Sequence, residues 1–244
     1  MAARKPGKRA NNGQAATRDP ERVRRMFASI EPRYDLTNRL LSGGSDRYWR
    51  WVTARQLAPG PGQRSLDLAC GTGDLARALT RAGGDVVAVD FTPAMLAGAR
   101  ARDRRRRLLL AAGDALNLPF PDQVFHTVAV AFGVRNFANL EQGLGEIHRV
   151  LRPGGRVGIL EFSHPTGPLA PLIRAYIRTV MPRLGQLLSG QRGPYDYLAD
   201  TIRDWPEPRR LARTLQGIGF QRVAWRRFAA GVAALHTGSR AHGG

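Results

Sequence analysis

One stretch constrains the fold more than any other: Ser65-Leu66-Asp67-Leu68-Ala69-Cys70-Gly71-Thr72-Gly73-Asp74. Leu66 and Leu68 alternate as at the end of a buried strand. The pattern breaks at Gly71-Thr72-Gly73, and Leu75, Ala76, Ala78 and Leu79 resume at helical spacing. A strand that turns so tightly into a helix needs glycine, both for the turn and to let backbone approach a ligand. A second apolar run, Asp85-Val86-Val87-Ala88-Val89-Asp90, ends in an acid about twenty residues after the glycines, the spacing at which a carboxylate meets a ribose diol. A third acid, Asp114, follows another apolar run. Gly-x-Gly alone equally fits a structural turn; the three acids favour a bound ligand.

The dinucleotide pattern Gly-x-Gly-x-x-Gly tolerates Ala76 in its third place. Asp67 ahead of the glycines is foreign to it. Asp67-x-x-x-Gly71-x-Gly73 instead resembles the first motif of class I S-adenosylmethionine-dependent methyltransferases. That resemblance implies S-adenosyl-L-methionine as cofactor, a ligand without a pyrophosphate, whose ammonium and sulfonium suit an acidic loop. Candidate strands at 64–69, 85–90, 107–112, 124–132 and 156–162 alternate with candidate helices at 74–81, 93–102 and 140–151. Two further strands, at 220–228 and 231–238, read as antiparallel. The prediction is an α/β, Rossmann-like, seven-stranded, mostly parallel sheet with helices on both faces and an N-terminal helical cap.

Residues 1–19 are basic and nearly free of large apolar groups, which predicts a disordered tail. Residues 20–240 read as one domain. Within it, 20–60 is the cap: Val23, Met26, Phe27 and Ile30 share a helical face, Pro32 is expected to interrupt it, and Gly43-Gly44 to break it again. In 163–195, Leu169, Leu172, Ile173, Tyr176, Ile177, Val180 and Met181 form an apolar stripe interleaved with Arg174, Arg178 and Arg183. It fits either a core-facing helix or a lid over an apolar substrate that also rests on a membrane. Residues 196–217 look helical, with Pro206 and Pro208 in the middle. The single cysteine, Cys70, excludes an internal disulfide and a multi-cysteine metal site, and no metal is expected. No apolar run approaches the ~20 residues of a membrane span, and no secretory signal is visible. The 38 Lys+Arg against 19 Asp+Glu give a net charge of +19, nearly all from arginine. Nucleic acid, an anionic membrane surface and a solvated arginine-rich face all fit that excess.

Further motifs are Tyr34-Asp35-x-x-Asn38, Leu118-Pro119-Phe120-Pro121-Asp122, Phe132-Gly133-Val134-Arg135-Asn136 and Leu160-Glu161-Phe162-Ser163. Tyr195-x-Tyr197-Leu198-x-x-x-Ile202 and Gly231-x-x-Ala234-Leu235-His236-x-Gly238 follow. Together they resemble the menaquinone/ubiquinone biosynthesis C-methyltransferase family over nearly all of the chain past the tail. The resemblance implies methyl transfer to a ring carbon of a polyprenylated quinol, and its motifs are shared by naphthoquinol and benzoquinol enzymes; the basic, tailed chain favours demethylmenaquinol, with a benzoquinol or another small molecule as the alternative acceptor. It carries cofactor roles onto Thr72, Asp90, Asp114 and Ala115. Thr72, with Gly71 and Gly73, would meet the methionine end, Asp90 the ribose hydroxyls, and Asp114 and Ala115 the adenine; an N-cap is the lesser reading of Asp114. Asp67 is expected to orient the turn or the cofactor's ammonium. The family usually has serine where this chain has Ala131, so contact there must come from backbone.

The acceptor carbon becomes nucleophilic when the neighbouring phenol loses its proton, so the protein must help that proton leave and stabilise the phenolate. Arg135 and Asn136 follow the fourth strand, where such sheets place their sites. Arg135 is expected to hold the phenolate or position a water, Asn136 to orient that water or the quinol oxygen, and Tyr34 is a third candidate. His148 and His236 read as surface and structural respectively. A nucleic-acid methyltransferase is disfavoured: the Asn/Asp-Pro-Pro-aromatic motif of base-amine methylation and the cysteine nucleophile of cytosine carbon methylation are both missing. The expected partners are the quinol and an anionic membrane surface met peripherally from the cytoplasm. A homodimer is also compatible with the sequence.

Overall fold

The computed structural model describes residues 19–242. The tail expectation for 1–18 lies outside them, whereas Asp19 caps the first helix by accepting from the Glu21 amide at 3.2 Å. Helices α1 (Pro20–Leu41) and α2 (Ser45–Leu57) precede the sheet. Then come β1 (Arg64–Leu68), α3 (Asp74–Arg81), β2 (Asp85–Asp90), α4 (Pro93–Arg102), β3 (Leu109–Ala112) and β4 (Phe125–Ala131). A 3-10 turn (Val134–Asn136) leads to α5 (Leu140–Val150) and β5 (Leu151–Phe162). Helices α6 (Ala170–Ala175), α7 (Met181–Ser189), α8 (Gly193–Arg203) and α9 (Pro208–Ile218) precede β6 (Gln221–Phe228) and β7 (Ala233–Ser239). The sheet order is β3-β2-β1-β4-β5-β7-β6, parallel except for β7, which runs antiparallel to both neighbours.

Burial follows from that order. β1 and β4 lie centrally and are covered on both faces, so Ser65–Leu68 and Thr127–Val130 are buried without alternation. One core layer packs Leu144, Ile147, Leu211 and Leu215 against Leu66, Val128 and Ile159. The other packs Leu57, Leu75 and Leu79 against Val86, Ala88 and Ala129.

Three expectations need correction. Pro32 does not interrupt α1, which runs unbroken through it. A proline inside a helix costs ~3 kcal/mol, but α1 packs against α4 and α7, and Arg102 of α4 holds Glu31 at 2.9 Å and Asp35 at 2.7 Å. Tertiary contact outweighs the local penalty. Residues 196–217 form two helices, since Trp205-Pro206-Glu207 separates α8 from α9 and Pro208 sits in the first turn of α9. β5 starts five residues earlier than the predicted 156 and absorbs Pro153-Gly154-Gly155 through a register shift against β4.

Candidate active site

Three hollows meet at the carboxyl ends of β1, β2 and β4, and Tyr34 of α1 lines all of them. Such sheets open a crevice there because neighbouring strands feed helices on opposite faces. The backbone is strained at the same place: Ala69 and Phe132, which follow β1 and β4, both have positive φ, 54° and 60°. Gly133 is explained by this pinch, because a Cβ on it would lie 2.6 Å from the Ala69 Cβ.

The first hollow is a groove of about 120 Å³ between the strand ends and α1. Gly71, Asp90, Asp114, Ala115, Ala131 and Asn136 line it. The Asp90 carboxylate accepts from the Gly71 amide at 2.7 Å and the Thr92 amide at 2.8 Å. Each oxygen keeps acceptor capacity for a ligand hydroxyl. Burial pushes the Asp90 pKa up, while the Thr92 and Gly71 amides oppose the rise. Asp114 is not an N-cap. It accepts from the Leu116 amide at 2.9 Å, two residues on, within a turn bridged to Asn117.

The second hollow is small, about 20 Å³, and contains Asp67, Gly71 and Thr72 with Tyr34 and Arg50. Asp67 is 1 % exposed and its Oδ2 has no hydrogen-bond partner among the described residues. Burial pushes its pKa up to about 8, against the Ala76 amide and Arg50. An unpaired buried carboxylate is costly, and a ligand cation relieves the cost. Thr72 points its hydroxyl at the cap, donating to Asp35 at 2.5 Å. Gly71, at φ +54°, leaves the front of the turn open: a Cβ there would meet only the Tyr34 ring, at 3.9 Å. Gly73 does not line the hollows. Its φ of +82° carries the chain into α3.

The third hollow is a cavity of about 210 Å³ walled by Phe27, Trp49, Phe132, Phe162, Ile177 and Met181, among others. Its charged groups come as buried pairs. Arg135 Nη1 donates to Glu161 Oε1 at 2.8 Å and to the Phe132 carbonyl at 2.5 Å, and the guanidinium lies 5.1 Å from the Phe162 ring centre. Arg50 Nη1 donates to Asp46 Oδ2 at 2.6 Å and lies over the Phe132 ring. Asn136, next in sequence to Arg135, faces the groove rather than this cavity. Its Oδ1 accepts from the Tyr197 hydroxyl at 3.1 Å, and Tyr197 lines the cavity. The two predicted catalytic neighbours thus face opposite sides of one wall. His236 is buried, with Nε2 2.9 Å from the Pro208 carbonyl, and His148 meets Phe220 edge-on; neither lines the hollows.

Arg50, Asp46, Asp35 and Tyr197 were missed by sequence reasoning as site residues, and so was Glu161. Asp35, Glu161 and Tyr197 sit in quoted motifs and had a signal. Arg50 and Asp46 lie on an ordinary amphipathic helix in an arginine-rich chain, where nothing marks them.

The profile of the ubiE/COQ5 methyltransferase family matches residues 15–240. The chain belongs to that family. Its relatives named demethylmenaquinone methyltransferase include one from Corynebacterium kroppenstedtii, 41% identical over 91% of this chain and 95% of that one. Another, from Mycobacterium bovis, is 44% identical over 92% of this chain and 94% of that one. Among solved structures, the [4+2]-cyclase SpnF matches with a TM-score of 0.66 at 18% identity, covering 91% of this chain and 96% of its own. Phosphoethanolamine N-methyltransferase 2 of Haemonchus contortus, solved with S-adenosyl-L-methionine, matches at 0.59 and 18%, covering 79% of this chain and 52% of its own. These two likenesses establish the class I methyltransferase fold. As a member of the ubiE/COQ5 family, the chain is an S-adenosylmethionine-dependent methyltransferase. The unpaired Asp67 carboxylate beside an open glycine turn fits that cofactor's cationic end.

Proposed function

We propose that this enzyme methylates a ring carbon of demethylmenaquinol, the step that completes menaquinone. The carrying observation is the aromatic-walled cavity, which shares Phe27, Tyr34 and Phe132 with the groove at the strand ends. A planar apolar ring fits such walls. The names of the relatives point to the same acceptor.

S-adenosylmethionine, when bound, supplies an electrophilic methyl group on a sulfonium. Asp67 and the Gly71–Thr72 backbone hold its methionine end, Asp90 the ribose hydroxyls, and Asp114 with Ala115 the adenine. Ala131 contributes backbone only. Arg135 grips a quinol oxygen from the cavity side; it stays protonated and so is no base. Its pairing with Glu161 fixes the guanidinium, and breaking such a buried pair costs about 3–5 kcal/mol. Tyr34 stands where the hollows meet, and burial keeps its phenol protonated. Asn136 orients a water on the donor side.

The prenyl tail would not fit a cavity of this size beside the ring and must leave it. Helices α6 and α7, joined by the helical turn Tyr176–Val180, cover the cavity as a lid, and this segment exposes Leu172, Leu184 and Leu187 beside Arg174, Arg178 and Arg183. No helix among the described residues is long and apolar enough to cross a membrane. A peripheral, arginine-assisted contact with an anionic bilayer, from the cytoplasmic side, delivers the tail.

The test is methyl transfer from labelled S-adenosylmethionine to a reduced demethylmenaquinone analogue, a demethoxybenzoquinol analogue and bulk RNA side by side. Label in the naphthoquinol is expected. Label in RNA alone would overturn the reading.

A further inference from the structure

Among the described residues only Tyr34 and Arg50 line both the aromatic cavity and the hollow holding Asp67, so they flank the place where an acceptor in the cavity would meet the methionine end of the cofactor. Arg135 lines the cavity alone. Both hydrogen bonds of Arg50 are made by Nη1, to the Asp46 carbonyl at 3.2 Å and its carboxylate at 2.6 Å. Nε and Nη2 have no hydrogen-bond partner among the described residues, and the guanidinium lies over the Phe132 ring. The side chain is 11 % exposed, so its charge acts through little solvent. Of the cations acting on Tyr34, Arg50 is the stronger and Arg135 the weaker.

We infer that Arg50 is a catalytic residue that binds the quinol oxygen next to the reacting carbon, while Arg135 grips the opposite one. This rests on the quinol reading above. In the step, the hydroxyl proton leaves to water and the oxygen's charge enters the ring. The ring carbon bonds the methyl group as the methyl–sulfur bond breaks. That carbon then loses its hydrogen as a proton, restoring aromaticity, and the oxygen is reprotonated. One proton is released per methyl transferred. Charge on the oxygen is largest as its proton departs, which is where a preplaced guanidinium acts.

The probe is 4-methoxy-1-naphthol, whose phenolate absorbs at longer wavelength than its phenol, titrated on the cofactor-free protein. Besides Arg50, the charged and titratable groups among the described residues that line the cavity are Tyr34, Asp46, Arg135, Tyr176, Tyr195 and Tyr197, those that line the adjoining hollow are Asp67, Cys70 and Asp74, and Glu161 lies behind Arg135, so the variants must separate Arg50 from them. In the wild type the bound naphthol should ionise at least about one pH unit below its value in water. Arg50→Gln should abolish that shift and lower kcat about 100-fold with little change in KM. Arg50→Lys should restore part of both, and Asp46→Asn, which unmasks the cation, should deepen the shift. Arg50→Gln protein that melts like wild type and keeps both the shift and kcat overturns the inference. So does a shift abolished by Arg135→Gln and untouched by Arg50→Lys and Asp46→Asn. A wild-type enzyme that methylates no quinol removes the functional reading and this inference together.

Discussion

Asp67 is the residue most at odds with its surroundings. Its folded pKa of about 8 lies far above the ordinary value of 3.8. The folded chain therefore keeps a proton that the unfolded chain has already lost. This group destabilises the cofactor-free protein progressively as pH rises from about 4 to about 8, and no further above that. A cation bound beside it reverses the preference and expels the proton. Calorimetry at pH 7 in buffers of different ionisation enthalpy should show close to one proton released on S-adenosylmethionine binding, and none for Asp67→Asn. The same substitution should weaken cofactor binding yet raise the cofactor-free melting temperature at pH 8–9, by about 2–4 °C for each kcal/mol relieved. A wild-type binding enthalpy independent of buffer would refute the assignment.

At the scale of elements, α1 and the α6–α8 segment line the hollows, and the proposed function makes them covers. α1 roofs the groove at the strand ends through Val23 and Phe27, and Arg102 ties it to α4 through Glu31 and Asp35. Both ion pairs are partly exposed, so together they contribute on the order of 1 kcal/mol. Arg102→Ala should accordingly speed cofactor release about fivefold in stopped-flow and expose α1 to protease, leaving kcat at saturation nearly intact. The other cover depends on α7 meeting α8 closely. A Cβ on Gly185 would come within 2.3 Å of the buried Tyr195 ring, so Gly185→Ala forces the helices apart. Overpacking of this kind costs about 1–3 kcal/mol. The variant should raise KM for the quinol several-fold while leaving the cofactor dissociation constant unchanged; a change confined to cofactor binding would show that these helices do not cover the acceptor.

For the whole molecule, a large positive charge accompanies exposed apolar side chains. The net charge is +19, and α1 and α7, which pack on each other, both expose leucines, Leu187 to 78 %. Each arginine near an anionic bilayer contributes about 1 kcal/mol, screened by salt. Co-sedimentation with phosphatidylglycerol vesicles should be strong at low salt and fall steeply as salt is raised. Leu172→Ser with Leu187→Ser should weaken it further without altering turnover of a short-tailed quinol. Binding equal on neutral and anionic vesicles would sink the electrostatic part of this account.

The sequence by itself determined the parts whose chemistry is local. Glycine at 71 and 73 marks a strand-to-helix turn, and acids at 67, 90 and 114 mark strand ends and the turn beyond them, because each residue type answers to its own backbone geometry or to a ligand one turn away. Short apolar runs bounded by turn residues marked the seven strands, apart from the early start of β5, for the same reason. Only the tertiary structure decided how separate motifs share walls. It carried α1 straight through Pro32 because ion pairs and packing outweighed a local penalty. It turned Arg135 and Asn136 to opposite sides of one partition, paired Arg135 with Glu161 far along the chain, and brought Arg50 from an unremarkable helix to the junction of the hollows. Burial, ion pairing and cavity shape are set by residues distant in the chain, and no spacing rule encodes them.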